Sequence, residues 1–363
     1  MMKKKGYFSI LVFALLIMAF ISFTAQSAEW KLLSEAPRGV PIGAINQIVI
    51  HPTKPNTMYI GTEGMGFLAS EDSGKTWTPK NKGFTTAEEG TVSGIQIRCI
   101  AVDPSKPDTI YAGMAAFGVF NTVDAGTTWK TISDTLEDTF TKALVIHPAK
   151  TNTLYLGTDG GGVYRYDVAK DEWTETIQGL KNTYIRALVM DPKDPKIIYA
   201  ATDGGVAKTI DGSDSWKVFS SANGITNRYG LCLAIDQKDP KVLYVGTDGG
   251  GLFKTMDGGE KWETLGGEIW MAKPAAEDLA APGGDVESSL VTSSVAINPV
   301  NSSIVYAGNQ TGMFRSADAG KTWAQINIGL TSTVVKCLAV SGTKQVIVYA
   351  GTSDGKLFTY TEE

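Results

Sequence analysis

One phrase recurs along this chain at a nearly constant interval. An apolar strand leads into a turn, then Tyr-Ile-Gly-Thr or a variant, a Gly-rich turn, another strand and a Trp. The Tyr anchors are Tyr59, Tyr111, Tyr155, Tyr199, Tyr244, Tyr306 and Tyr349, and four of the six intervals between them are 43 to 45 residues. Trp77, Trp129, Trp173, Trp216, Trp262 and Trp323 each follow a Tyr by 17 or 18 residues. A unit of this size cannot bury its own apolar face, so neighbours must stack; a period of roughly 40–45 residues is that of a four-stranded propeller blade.

The two aromatic series also predict how the ring closes. Tyr349 has no Trp after it, whereas Trp30 has no Tyr before it. Trp30-Lys31-Leu32 is therefore expected to be the outer strand of the last blade, which removes the exposed edges of an open sheet. The expected fold is all-β: a single seven-bladed β-propeller of four-stranded blades, closed by the N-terminal strand. In the fifth repeat the strands read Leu231 to Ile235, Val242 to Gly246, Leu252 to Thr255 and a last strand at Trp262. Their alternation and β-branched content fit strands. The 40 glycines fall in the turns between them, not in a linker.

The third turn of the repeat carries Ser/Thr-x-Asp-x-Gly-x-Thr-Trp. It stands as Ser70-Glu71-Asp72-Ser73-Gly74-Lys75-Thr76-Trp77, and recurs from Thr122 to Trp129 around Asp124 and from Ser316 to Trp323 around Asp318. Looser copies surround Asp211 (Thr209 to Trp216) and Asp257 (Thr255 to Trp262), while the third repeat has Val168 in place of the Asp. The hydroxyl and carboxylate suit bonds to the N–H groups of their own turn, and the Trp suits an apolar plug between sheets. Because each Asp recurs in place, these residues are expected to be structural turn fasteners, with no metal site.

This pattern resembles the Asp-box (BNR) repeat over nearly all of residues 28–363. The superfamily includes sialidases, xyloglucan-cleaving glycosidases, sortilin-type receptors and the photosystem II stability/assembly factors. A lone seven-bladed ring behind an export signal looks most like the last group, which implies an assembly factor without catalysis, with the boxes lying away from the ligand face. Members of that group carry an arginine-rich patch; this chain has six Arg, which argues against a photosystem client. The sialidase comparison fails on blade count and on the lack of a Phe-Arg-Ile-Pro-like segment, for which Ala36-Pro37-Arg38-Gly39 is no substitute. A paired-carboxylate glycoside hydrolase or a glycan binder remains the alternative, since acids from different blades can converge.

Lys3, Lys4 and Lys5 precede an apolar run from Tyr7 to Phe23 and then Ala25-Gln26-Ser27. This reads as a signal peptide over 1–27 with cleavage near Ser27 and Ala28, hence a periplasmic or secreted protein. A membrane association would come only through an uncleaved N-terminal segment. Without those three Lys the chain holds 30 basic and 38 acidic residues. That balance argues against nucleic acid as a partner.

Two features are candidate binding sites. The turn after the second strand carries Glu63, Asp159, Asp203, Asp248 and Asp354, and the inner strands carry Arg98, Lys142, Arg186 and Lys336 just before a small residue. Propeller geometry places these groups together, as a charged ring at the channel mouth. The second is an insertion at about 266–289, which contains Trp270, the one Trp outside the repeat register. A smaller excess spans Thr85 to Ser93. His51 and His147 share a position with Asp103, Asp191, Asp236, Asn298 and Ser341, so they read as turn caps. Cys99, Cys232 and Cys337 share one inner-strand position on non-adjacent blades, too far apart for disulfides, and read as free thiols. The expected function is a monomeric, non-enzymatic scaffold that binds another protein, or else a glycan, without a cofactor.

Overall fold

The structure, a computed structural model, describes residues 28–34, 43–84, 94–227, 229–266, 291–332, 334–342 and 345–362. The signal segment, Thr85 to Ser93, Trp270 and nearly all of the 266–289 insertion lie outside the described residues.

Seven four-stranded antiparallel sheets form the ring. Blade one runs Ile45–Ile50, Met58–Thr62, Phe67–Ser70 and Thr78–Pro79 from the channel outward. Inner strands pack on the inner strands of the blades on either side, around the whole circle. Second strands such as Met58–Thr62, Ile110–Met114 and Ile198–Thr202 are buried along their full length, because sheets cover both faces. In the last blade, Lys31–Ser34 pairs with Leu357–Thr361 as the fourth strand, so both chain ends build one sheet.

The joint between blades is the same at the closure as elsewhere. After an outer strand comes an apolar residue preceded by Gly: Gly83-Phe84, Gly179-Leu180, Gly224-Ile225 and Gly329-Leu330. The residue before Gly accepts a bond from the backbone N–H of the next blade's Trp: Trp129 to Lys82, Trp216 to Gln178 and Trp30 to Ile328, each 2.8 Å. These glycines have φ of +84° to +99°, and a Cβ on them would lie 2.0 to 2.2 Å from the following Trp carbonyl oxygen. Only Gly permits both the left-handed turn and that approach. Trp30 and Gly329 thus repeat what Trp129 and Gly83 do, which is why an N-terminal strand can complete a C-terminal blade.

The far end of the chain adds a second fastener. The Glu362 carboxylate accepts from the Tyr306 hydroxyl and from the Arg315 guanidinium, both on blade six.

Candidate functional site

Each blade has two ends, and the hydrogen bonds sort the turns between them. At one end the turn after the second strand binds the residue just before the inner strand. Glu63 N–H donates to Ala44 O, Ala115 to Gln96, Asp159 to Phe140, Asp203 to Tyr184, Asp248 to Tyr229 and Ser353 to Val334, at 2.9 to 3.2 Å. At the other end the Asp-bearing turn binds the first turn, as in Ser73 N–H to Asn56 O and Ala125 N–H to Asp108 O. The acidic turns of the sequence therefore share a face with the inner-strand entrances, and the Asp motifs lie on the opposite face.

The inner strands carry a feature that the sequence does not announce. In every blade the register slips by one residue at the same place, for example between Ile97 and Cys99 and between Ile185 and Ala187. The residues at the slip are Asn46, Arg98, Lys142, Arg186, Leu231, Ser293 and Lys336. A bulge re-aims its side chain, and all seven residues line one cavity of about 260 Å³ at the channel mouth. The residue after each bulge lies against the second strand's Gly or Ala, such as Cys99 opposite Gly113 and Cys337 opposite Gly351.

Ion pairs link these bulge residues to the acidic turns. Arg98 pairs with Glu63 of the preceding blade. Lys142 reaches Asp159 at 3.1 Å, and Arg186 bridges Asp159 at 3.0 Å and Asp203 at 2.8 Å. The bonds to Asp203 and burial act in opposite senses on Arg186, and its pKa is raised. The result is a chain Lys142–Asp159–Arg186–Asp203 over two blades. Arg98–Glu63 is a separate pair, and three further members of the expected ring stand apart from both. Asp248 and Lys336 are exposed, with no ion pair among the described residues. Asp354 sits one position beyond the acid slot, which Ser353 occupies; it pairs with Lys356 at 2.8 Å and accepts from the Thr352 hydroxyl.

An arc of exposed aromatics accompanies the charges, and sequence reasoning missed it. Phe117, Phe140, Tyr184 and Tyr229 are 41% to 55% exposed, on blades two to five of this same face. Phe140, Tyr184 and Tyr229 each stand directly before an inner strand, and the Arg186 guanidinium lies 6.0 Å from the Tyr184 ring centre. The readable signal was positional: three successive repeats place an aromatic two residues before the bulge.

On the opposite face the Asp side chains are engaged within their own turns. Asp72 Oδ1 accepts from the Ser70 hydroxyl at 2.8 Å and the Thr76 N–H at 2.9 Å, and Oδ2 accepts from the Thr76 hydroxyl at 2.6 Å. Those bonds hold its pKa down at about 2. Asp124, Asp211 and Asp318 make the same set and fall to about 2, and Asp257 is lowered as well. The Trp residues that follow are buried, apart from a half-buried Trp77, and their indole N–H groups end on the preceding blade (Trp129, Trp173, Trp216) or on their own turn (Trp262, Trp323). His51 Nδ1 accepts from the N–H groups of Thr53 and Lys54, as Asp103 Oδ1 does from Ser105 and Lys106. Burial raises the thiols of Cys99, Cys232 and Cys337 to about 12.

A YCF48 bound to D1 peptide superposes with a TM-score of 0.65 at 15% identity, covering 93% of this chain and 95% of that one. YCF48 from Cyanidioschyzon merolae gives 0.66 at 17%, over 92% and 98%. The GH74 xyloglucanase from Xanthomonas campestris gives 0.64 at 17%, over 91% of this chain and 53% of that one. This chain shares their propeller fold. At such identities the likeness establishes the fold alone, and a fold hosts many functions. No family model matches the chain. Among curated proteins, an 87-residue stretch is 33% identical to a "probable oligoxyloglucan-reducing end-specific xyloglucanase" of Neosartorya fischeri. The same length is 30% identical to the oligoxyloglucan-reducing end-specific xyloglucanase of Emericella nidulans. Each match spans 24% of this chain and 10% of the relative.

Proposed function

We propose that this protein is an exported, monomeric, non-enzymatic propeller that holds a segment of another protein on its channel-mouth face. The observation that carries the reading is the exposed arc of Phe117, Phe140, Tyr184 and Tyr229 beside the ion-paired ring. Exposed aromatics grouped on one face are the usual anchors of protein recognition, since they bury much area at little entropic loss. Charges already paired within the chain cost less to cover than lone ones. Trp270, on the long connection between blades five and six, is proposed as a further contact. The YCF48 structure with a bound peptide supports a propeller of this size as a peptide-binding unit.

A glycan is the second reading, favoured by the same aromatic arc and by the short xyloglucanase similarity. Hydrolysis fits less well. A glycosidase acid must carry a proton, whereas the mouth acids Glu63, Asp159 and Asp203 each face a cation.

The test begins with capture by the full chain from solubilised envelope extract. Each captured protein is then purified and its affinity measured against wild type, Phe140→Ala/Tyr184→Ala and Trp270→Ala. Loss of about 2 kcal/mol or more in the double variant supports the assigned face. Unchanged affinity in that variant sinks it. No captured protein, together with binding on a carbohydrate array, transfers the reading to glycans.

A further inference from the structure

At two joints of the mouth, the acid after the second strand serves the bulge cation one blade ahead. Glu63 of blade one holds Arg98 of blade two, and Asp159 of blade three holds Arg186 of blade four. Blade two has Ala115 in that slot, fixed by the same backbone bond that fixes Asp159 and Asp203. Lys142 of blade three therefore has a methyl group in the slot one blade behind it and, among the described residues, pairs only with Asp159 of its own blade, where Arg186 holds both Asp159 and Asp203. What remains is a pocket of about 370 Å³, lined by Arg98, Ala115, Phe117, Phe140, Lys142 and Asp159 among others.

Three observations give this pocket a chemistry. Two cations line it in sequence around the ring, Arg98, which Glu63 and Gln96 hold from one side, and Lys142, and the slot between them carries Ala115. Asp159, which also lines it, is already engaged by Lys142 and Arg186. Its outer wall is apolar, with Phe117 41% and Phe140 55% exposed. Phe117 is presented by a turn that holds Ala116 at φ +63°, a left-handed conformation that disfavours any residue with a Cβ.

We propose that the pocket between blades two and three binds a carboxylate carried on an apolar group. The carboxylate lies between Arg98 and Lys142, and the apolar group lies against Phe117 and Phe140. The proposal rests on the reading of this face as a binding surface and names its ligand chemistry. A free organic acid and a carboxylate of a peptide share that chemistry, and the experiment separates them.

The full chain is titrated calorimetrically with 3-phenylpropionate and with 3-phenylpropionamide. It is also titrated with a short peptide ending in phenylalanine, as the free acid and as the amide. Each acid should bind about ten-fold or more tightly than its amide, because a charge-assisted pair is lost in the amide. Ala115→Asp fills the slot from within and should weaken the acid about ten-fold, with the circular dichroism and unfolding midpoint retained. Lys142→Gln should do the same, and Phe140→Ala should weaken acid and amide alike. Tight binding of the peptide acid with weak binding of 3-phenylpropionate assigns the site to peptides; the converse assigns it to small acids. Equal binding of acid and amide, no binding of either acid at millimolar concentration, or full binding to a folded Ala115→Asp protein overturns the proposal. Capture of a protein partner through Tyr184 with no carboxylate preference would leave the scaffold reading standing and remove this one.

Discussion

Trp30→Ala tests the closure of the ring. The Trp30 side chain is 2% exposed, packs 5.3 Å from the Tyr360 ring, and donates its indole N–H to Ile326 O at 2.6 Å. An indole buries roughly 200 Å², worth about 5 kcal/mol at 25 cal/mol per Å². The lost hydrogen bond adds about 1 kcal/mol, and partial collapse of the cavity returns some of the total. The expected destabilisation is therefore about 3–5 kcal/mol, the range of aromatic truncations in cores. The matched control is Trp129→Ala, which removes the same plug from a joint inside the chain. Urea unfolding followed by far-ultraviolet circular dichroism measures both without relying on the deleted fluorophore. If the N-terminal strand closes the ring as drawn, the two variants lose comparable stability, and Trp30→Ala also becomes sensitive to proteolysis near Lys31. A loss below about 1 kcal/mol for Trp30→Ala, beside a full loss for Trp129→Ala, would refute the closure.

Three further outcomes follow from local geometry. Gly224→Ala would place a Cβ 2.1 Å from Trp262 O at φ +95°, and should cost about 2 kcal/mol or more by denaturant titration, where Gly249→Ala, with a similar φ of +94° but no backbone atom in its way, costs less. His51 and His147 accept backbone N–H bonds on Nδ1 and have pKa values lowered, first by burial, below the ordinary 6.5. A folded-state pKa below the unfolded one means that the unfolded chain takes up the proton first. The contribution of these residues is thus present above pH 6.5 and is lost as pH falls below it toward the folded values. His51→Asp/His147→Asp, with the residue other blades use, should flatten the unfolding midpoint between pH 7 and pH 5; an unchanged slope counts against the turn-cap role. The thiols of Cys99, Cys232 and Cys337, raised to about 12 by burial, should resist iodoacetamide in the folded protein and react on unfolding, as counted by mass spectrometry.

The repeat by itself determined the architecture. Tyr and Trp spacing fixed seven blades, and the unmatched pair Trp30 and Tyr349 fixed how the ends meet, because each blade buries aromatics that it cannot cover alone. The sequence also placed acids and cations on one face, since their positions repeat with the strands. What it could not supply is the bulge at Arg98, Lys142 and Arg186, a pairing slip with no residue signature, which aims these side chains into the channel. Nor could it separate Asp354 from the acid slot, because one residue of turn length is decided by backbone bonding. Phe140, Tyr184 and Tyr229 carry no mark of exposure in the sequence, and the tertiary structure leaves them uncovered. Exposure, the pairs Glu63–Arg98 and Asp159–Arg186 and the gap at Ala115 are relations between blades, and a sequence period describes only what happens within one.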